Sequence, residues 1–294
     1  MPSFPYMLGW RQDLEKDDPR DYHIDHSEMQ KVFKAQPLVN ERITGAVEAP
    51  NVHSLRKWCS PIEDQGQLGS CTANAAVGMF ETMMNLALGT YIRLSRLFVY
   101  KATREIMFST GDSGATLRAT MESLVNPGTP PELYWPYTDQ QPAFDNTPSW
   151  IASALAGKYC VSHYFRLDPG SDAGNDDKQK VLSDAKASIF SGIPWIFGTP
   201  VWPSIANVGI SGIIPLPDSN PPEGGHALTA IGYDDTKVIP GASGPGAFEI
   251  RNSWGTGWGD GGYGWLSYDY LQKRYMSDMW AAQRVSWINM GDFT

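Results

Sequence analysis

The sequence predicts an α+β protein of two lobes, helical in its first half and β-rich in its second. Two observations carry this. From Cys71 to Gly128 the apolar residues recur at helical spacing, in three successive stretches. After about residue 158 the text changes to short runs rich in aromatic and β-branched residues, set apart by Gly, Pro and Asp clusters. Helices first and strands later separates the two kinds of element into different parts of the molecule. With 294 residues, 41% of them hydrophobic, the chain is long enough to bury two cores.

The elements follow in order. Residues 1 to about 46 form an extension. Its stretch "RQDLEKDDPRDYHIDHSEMQK" is polar, alternately charged and without clear periodicity, so it either lies on something or is disordered. "VEAPNVHSLRKW" (47–58) reads as an extended entry segment. A helix is expected over 71–88, stopped by Gly89. A second is expected over 94–107, and a third over 115–125, closed by Asn126-Pro127-Gly128. "PPELYWPYTDQQP" (130–142) is a Pro-rich aromatic loop. Strands are expected at 159–167, 193–202, 226–235, 246–254, 262–268 and 280–288, with one helix between them at 177–192. The acidic stretch 168–178 lacks the spacing of a calcium loop and reads as solvated. No period of 20 to 50 residues is present.

Composition excludes several classes. The net charge is −9 and no basic stripe is interleaved with aromatics, which argues against a nucleic-acid partner. No apolar run approaches 18 residues, so no membrane span is expected. The first residues lack the basic start and apolar block of a secretory signal, leaving a cytoplasmic protein, one whose signal was removed, or one exported by another route. Three cysteines, Cys59, Cys71 and Cys160, are too few and too spread for a disulfide framework or a zinc site.

Cys71 opens the first helix, after "QGQLGS". A lone cysteine reads first as a small buried hydrophobe. A thiol at a helix N-terminus, however, meets unpaired N–H groups and the positive end of the dipole, and both favour the thiolate. A nucleophile also needs a base and a group to orient that base. Of the five histidines, His23 and His26 lie in the extension and His53 in the entry segment, while His163 sits mid-strand among aromatics. His226 differs: it follows two glycines at the start of an apolar strand, where a side chain can lean into a cleft. Asn252 ends a later strand and precedes Ser253-Trp254-Gly255. Alone it would be a turn residue. Beside a Cys–His pair a neutral amide suffices to hold the imidazole ring, and Trp254 could shield that bond from water.

Taken together, "QGQLGSC" (65–71), "GGHAL" (224–228) and "RNSWGTGWGDGGYGWL" (251–266) resemble the papain family of cysteine peptidases. "DSGATLRA" (112–119) and "YWPY" (134–137) resemble two further segments of that family, and the order is kept over about residues 50–290. The resemblance implies a papain-like fold with the cleft between a helical left lobe (about 65–155) and an antiparallel β-rich right lobe (about 156–294 plus the entry segment). The extension, 1–46, would be a short prosegment and 47–294 the peptidase domain. It implies Cys71 as nucleophile, His226 as general base and acid, Asn252 as its orienting group, and the Gln65 side chain with the Cys71 N–H as oxyanion hole. Substrate would meet Gly69, backbone hydrogen bonds at Ser113 and Gly114, a pocket of Ala115, Thr116 and Ala227, and Gly225, with Trp254 on the leaving-group side. No cofactor or metal is implied. The partners implied are polypeptide substrates and the chain's own N-terminal segment, lying in the cleft in the direction opposite to a substrate, on a monomer; "VEAPNV" would be the linker opened by proteolysis.

Departures from the family pattern are Leu68 in place of a disulfide-forming Cys, Thr72 in place of Trp, and a longer stretch between His226 and Asn252 containing "DDTKVIPGASGPG" (234–246). With Leu68 removing one usual bond, a Cys59–Cys160 bond is an expectation for an oxidising compartment. The short extension points to a short-prosegment, prokaryotic-type member. Two rival functions use the same residues: a catalytically dead peptide-binding homologue, and an acyltransferase or transglutaminase in which an amine captures the acyl-enzyme.

Overall fold

The computed structural model describes residues 4–15, 17–170 and 178–283. Among them are helices α1 (Ser27–Lys34), α2 (Pro37–Ile43), α3 (Cys71–Leu88), α4 (Arg96–Ile106), α5 (Leu117–Val125), α6 (Trp150–Ala156), α7 (Lys178–Phe190) and α8 (Asp269–Gln272). The strands are β1 (Val52–Ser54), β2 (His163–Arg166), β3 (Trp195–Val201), β4 (Gly224–Asp234), β5 (Ala247–Arg251), β6 (Tyr263–Ser267) and β7 (Ser277–Gln283). They form one antiparallel sheet in the order β2-β7-β3-β4-β5-β6, with β1 added to β4. The expected strand 280–288 is β7, shifted toward the N-terminus; its part beyond Gln283 and most of the acidic stretch 168–178 lie outside the described residues.

α3 is the axle of the molecule. Its residues from Cys71 to Met84 are all buried, so it is covered on every side, and within that cover Glu81 accepts from the Leu94 N–H at 2.7 Å and Asn74 Nδ2 donates to the Ser70 carbonyl at 3.0 Å. One side carries α4 and α5; the other meets β4, where the Thr229 hydroxyl donates to the Ala75 carbonyl at 3.0 Å. Gly89 ends the helix at φ +68°, a conformation only glycine takes freely. At the other end Ser70 does not cap it: the Ser70 hydroxyl is bonded to Tyr137 Oη at 2.6 Å and to Asn74 Nδ2 at 3.0 Å. The first amides of α3 therefore remain uncapped beside Cys71.

Two cores result. One fills the space around the sheet with Trp195, Phe197, Phe248 and Tyr233; the other surrounds α3 with Phe80, Leu97, Tyr100 and Met121. The extension joins the first. α1 buries Met29 and Phe33 completely, and Phe33 meets Phe165 edge-on at 5.6 Å. α1 carries helical spacing at Met29, Val32 and Phe33, but over only eight residues inside a charged stretch, too short a run for the sequence reading to single out. The short helices α2 and α6 were equally illegible. Phe33→Ala is expected to lower stability by about 3–5 kcal/mol, as for any fully buried Phe. A urea or thermal melt checks it, and a wild-type midpoint would mean the extension merely rests on the surface.

The Cys59–Cys160 bond is not formed; all three cysteines are free thiols. Cys59 Sγ packs against α3, 3.6 Å from Thr82 Oγ1, whereas Cys160 Sγ faces the Gly157 carbonyl at 3.5 Å beside Gly128. Thr82 and Gly157 stand in different packing environments, and neither sulfur has a second sulfur within reach.

Candidate active site

Three segments converge at the start of α3. The loop before it places Gln65, which is fully buried. Its backbone N–H donates to the Ser253 carbonyl at 2.9 Å, and its side-chain Oε1 accepts from Ser253 Oγ at 2.7 Å. These bonds turn the amide so that Nε2 donates to the carbonyls of Leu68 (3.0 Å) and Met7 (3.1 Å). Cys71 lies against the backbone amide of Ala227, the residue after His226. His226 Nε2 and Asn252 Oδ1 are 2.8 Å apart, and the same oxygen accepts from the Ser253 N–H at 2.8 Å, which fixes the amide's orientation. His226 Nδ1, the ring nitrogen away from Asn252, is buried with no hydrogen-bond partner. Trp254 stacks on the His226 ring at 4.3 Å and covers the His226–Asn252 bond.

The cleft is filled by the chain's own N-terminus. Tyr6 stacks on the other face of Trp254 at 4.3 Å, so the indole is held between Tyr6 and His226. Gly9 passes against Gly69 so closely that a Cβ there would stand 1.9 Å from the Gly69 oxygen. The N–H groups of Gly9 and Trp10 donate to the Gly225 carbonyl (3.1 and 3.0 Å). Ala115 N–H donates to Gly9 O at 2.8 Å and Ala115 O accepts from Arg11 N at 3.0 Å, a parallel bridge centred on Trp10. The Trp10 side chain packs beside Cys71, Ala115 and Ala227.

Several residues singled out in the sequence stand differently from the expectation. Gly114 N–H is taken by Tyr100 Oη at 3.0 Å, and Ser113 O accepts from the Arg11 guanidinium at 3.0 Å, so the bound segment pairs with Ala115. Thr116 Oγ1 accepts from the Ala119 N–H and caps α5. The sequence reading missed Tyr6 and Trp10 as individual contacts, although both belong to the apolar patch "FPYMLGW". It also missed Asp278, which accepts from Trp10 Nε1 at 3.2 Å.

Burial controls the titration of the site. It pushes the Cys71 thiol up to about 11, only partly offset by the amides of Ala227 and Gly9. It pushes His226 down to about 4 against the opposing bond to Asn252. In this closed state both groups are neutral near pH 7.

Further along, the half-buried Glu15 turns its buried carboxyl oxygens toward Asp278, with Arg166, Asp17 and Asp168 around them. Burial first, and Asp278 second, push Glu15 up to about 9. A free segment would lose that proton near the ordinary value of 4.5. Docking then requires proton uptake over the interval between, and it weakens as pH rises from about 4.5 to about 9. Accessibility of Cys71 to a thiol reagent in the intact chain is expected to rise over that range relative to Glu15→Gln, whose neutral amide stays docked. An identical pH profile in the two proteins would refute the assignment.

The fold, with a helix-borne cysteine facing a sheet-borne histidine across a cleft, defines a class: the papain-like cysteine peptidases. The family model "Papain family cysteine protease" matches residues 49–282, and the chain belongs to this family and is a cysteine-type peptidase. It is 31% identical over 280 residues to a peptidase C1-like protein of Acanthamoeba polyphaga mimivirus, covering 92% of this chain and 85% of that one. It is 28% identical to cathepsin K of Gallus gallus over 73% of this chain, but spans only 57% of that relative. Among solved structures it is similar to xylellain, a cysteine protease from Xylella fastidiosa, with a TM-score of 0.73 and 27% identity over 97% of this chain and 98% of that chain.

Proposed function

We propose that this peptidase cuts within extended polypeptides through Cys71 and His226, and that its own N-terminal segment holds it shut. His226 takes the thiol proton through Nδ1 and Cys71 Sγ attacks the scissile carbonyl. The negative charge on that oxygen meets the Gln65 Nε2–H and the uncapped amides at the start of α3. His226 then gives its proton to the departing amine. Water attacks the resulting thioester, with His226 as base, and Cys71 is released. Asn252 only has to hold the ring, since no charge need develop on it.

The observation that supports this best is the His226 Nε2–Asn252 Oδ1 bond of 2.8 Å, with the opposite nitrogen unpartnered. One ring nitrogen is committed to orientation and the other is left for proton transfer. Regulation is supported by the Met7 carbonyl, which sits on Gln65 Nε2 where a reacting carbonyl would go. The parallel bridge to Ala115 is also consistent with a segment bound against the direction of a substrate, which then presents no bond for attack.

Incubation of the open protein with an epoxide thiol trap, followed by peptide mapping, tests the assignment. Label is expected on Cys71, with Cys59 and Cys160 unmodified. Absence of label on Cys71 would favour the dead homologue, and amide products formed only with added amine would favour acyl transfer.

A further inference from the structure

The segment "YWPY" (134–137) ends in Tyr137, a half-buried residue that the peptidase chemistry does not use. Its hydroxyl meets two groups. It stands 2.9 Å from the main-chain carbonyl oxygen of Gln65 and 2.6 Å from Ser70 Oγ. A carbonyl oxygen can only accept, so the single phenolic proton goes to Gln65. Ser70 is then the donor in the second bond, and its oxygen in turn accepts from Asn74 Nδ2 at 3.0 Å. Burial pushes the phenol up to about 12, so this proton is in place at neutral pH.

The far end of this chain of bonds is rigid. Asn74 Oδ1 accepts from Arg96 Nη1 at 3.0 Å, and the guanidinium carbon stands 4.2 Å from the centre of the Tyr137 ring. Arg96 Nη2 pairs with Glu63 and Glu132, both at 3.2 Å. The near end is a loop. Ser253 turns the Gln65 side-chain amide through Oε1, but the distance of that amide from the start of α3 is left to residues 66–69, which begin and end in glycine. Two residues beyond Tyr137, the Asp139 carboxylate accepts from the Gln67 N–H at 2.9 Å, so the stretch 137–139 holds this loop at two points.

We propose that Tyr137 is a positioning residue for the reaction: its hydroxyl ties Gln65 to Ser70 and so sets the spacing of the two oxyanion donors, Gln65 Nε2–H and the main-chain N–H of Cys71. This rests on the peptidase reading above. Tyr137 touches neither substrate nor thiol; it acts through the residue that carries one donor and the residue that precedes the other. The charge that develops on the scissile oxygen gains from both donors only when each stands about 2.7–3.1 Å from it. A loop free to drift by a fraction of an ångström satisfies one donor at the cost of the other. Phenylalanine at 137 would keep the ring against Arg96 and remove only the tie.

The test uses the full chain and two reactions of Cys71 in the same sample: cleavage of a fluorogenic peptide, and alkylation by iodoacetamide. In alkylation the sulfur forms a bond to carbon as iodide leaves, and no charge builds on oxygen, so the thiolate is needed but the oxyanion donors are not. Both rates scale with the fraction of enzyme whose cleft is open, and the ratio of kcat/KM to the alkylation rate constant cancels that fraction. Gln65→Ala is expected to lower this ratio by about 10²–10³-fold. Tyr137→Phe should lower it by about tenfold, through kcat with KM little changed. In the double variant the second change should cost less than about threefold, because a single remaining donor has no spacing to keep. Ser70→Ala cuts the other arm of the tie, should repeat the tenfold loss, and decides the matter if Tyr137→Phe does not fold. A wild-type ratio in Tyr137→Phe, or the same tenfold cost with and without Gln65, would overturn the positioning role and leave the peptidase reading intact. Wild-type protein that is alkylated at Cys71 yet cleaves no peptide would sink that reading, and this role with it.

Discussion

Cys71→Ser is expected to lower kcat/KM on a fluorogenic peptide by at least ~10⁴-fold, and His226→Ala by a similar factor. The double variant should be little worse than either, because thiol and imidazole act as one unit and removal of either member disables the other. Asn252→Ala should lose less. It frees a ring that Trp254 still stacks upon at 4.3 Å, so part of the population keeps a productive orientation. Three losses that simply add, or near-normal turnover by Cys71→Ser, would exclude the proposed mechanism. Each variant needs a melt beside the rate, since both side chains are buried at 0–1% exposure.

Gly9→Val in the intact chain is expected to raise peptide cleavage by on the order of tenfold or more. Gly9 lies against the Gly69 carbonyl with no room for a Cβ, and it anchors two main-chain hydrogen bonds, to Gly225 and from Ala115. Each such bond contributes about 1 kcal/mol net, so loss of the pair alone reaches that factor. A segment on a short tether works at roughly millimolar effective concentration, so modest weakening shows directly as open enzyme. The substitution is better than removing residues 1–46, because that deletion would also strip Met29 and Phe33 from the core. Equal rates for Gly9→Val and wild type, at equal Cys71 content, would show that the segment does not inhibit.

The order of chemical groups along the chain was legible without a structure. A helical pattern and a glycine stop marked α3 as Cys71–Leu88, because an 18-residue helix is long enough to leave a strong signal. Gln65, Cys71, His226 and Asn252 each sit in a glycine-marked or strand-ending context that reads locally. The short α1 shows helical spacing only at Met29, Val32 and Phe33, barely two turns within a charged stretch, and a periodic signal needs more turns than that to stand out.

By itself, then, the sequence determined the α+β class, the side chains proposed here as reactive and the presence of an apolar patch, "FPYMLGW", that needed cover. Only the tertiary structure decided where that patch goes: Tyr6 onto Trp254, Met7 onto Gln65 and Trp10 onto Gly198 above Asp278. These contacts join residues up to 268 positions apart, through a bulge in β7 and a close approach of two glycines. No local pattern encodes them, because they arise from how two strands lose register and how near two backbones can pass, which packing of the whole chain sets.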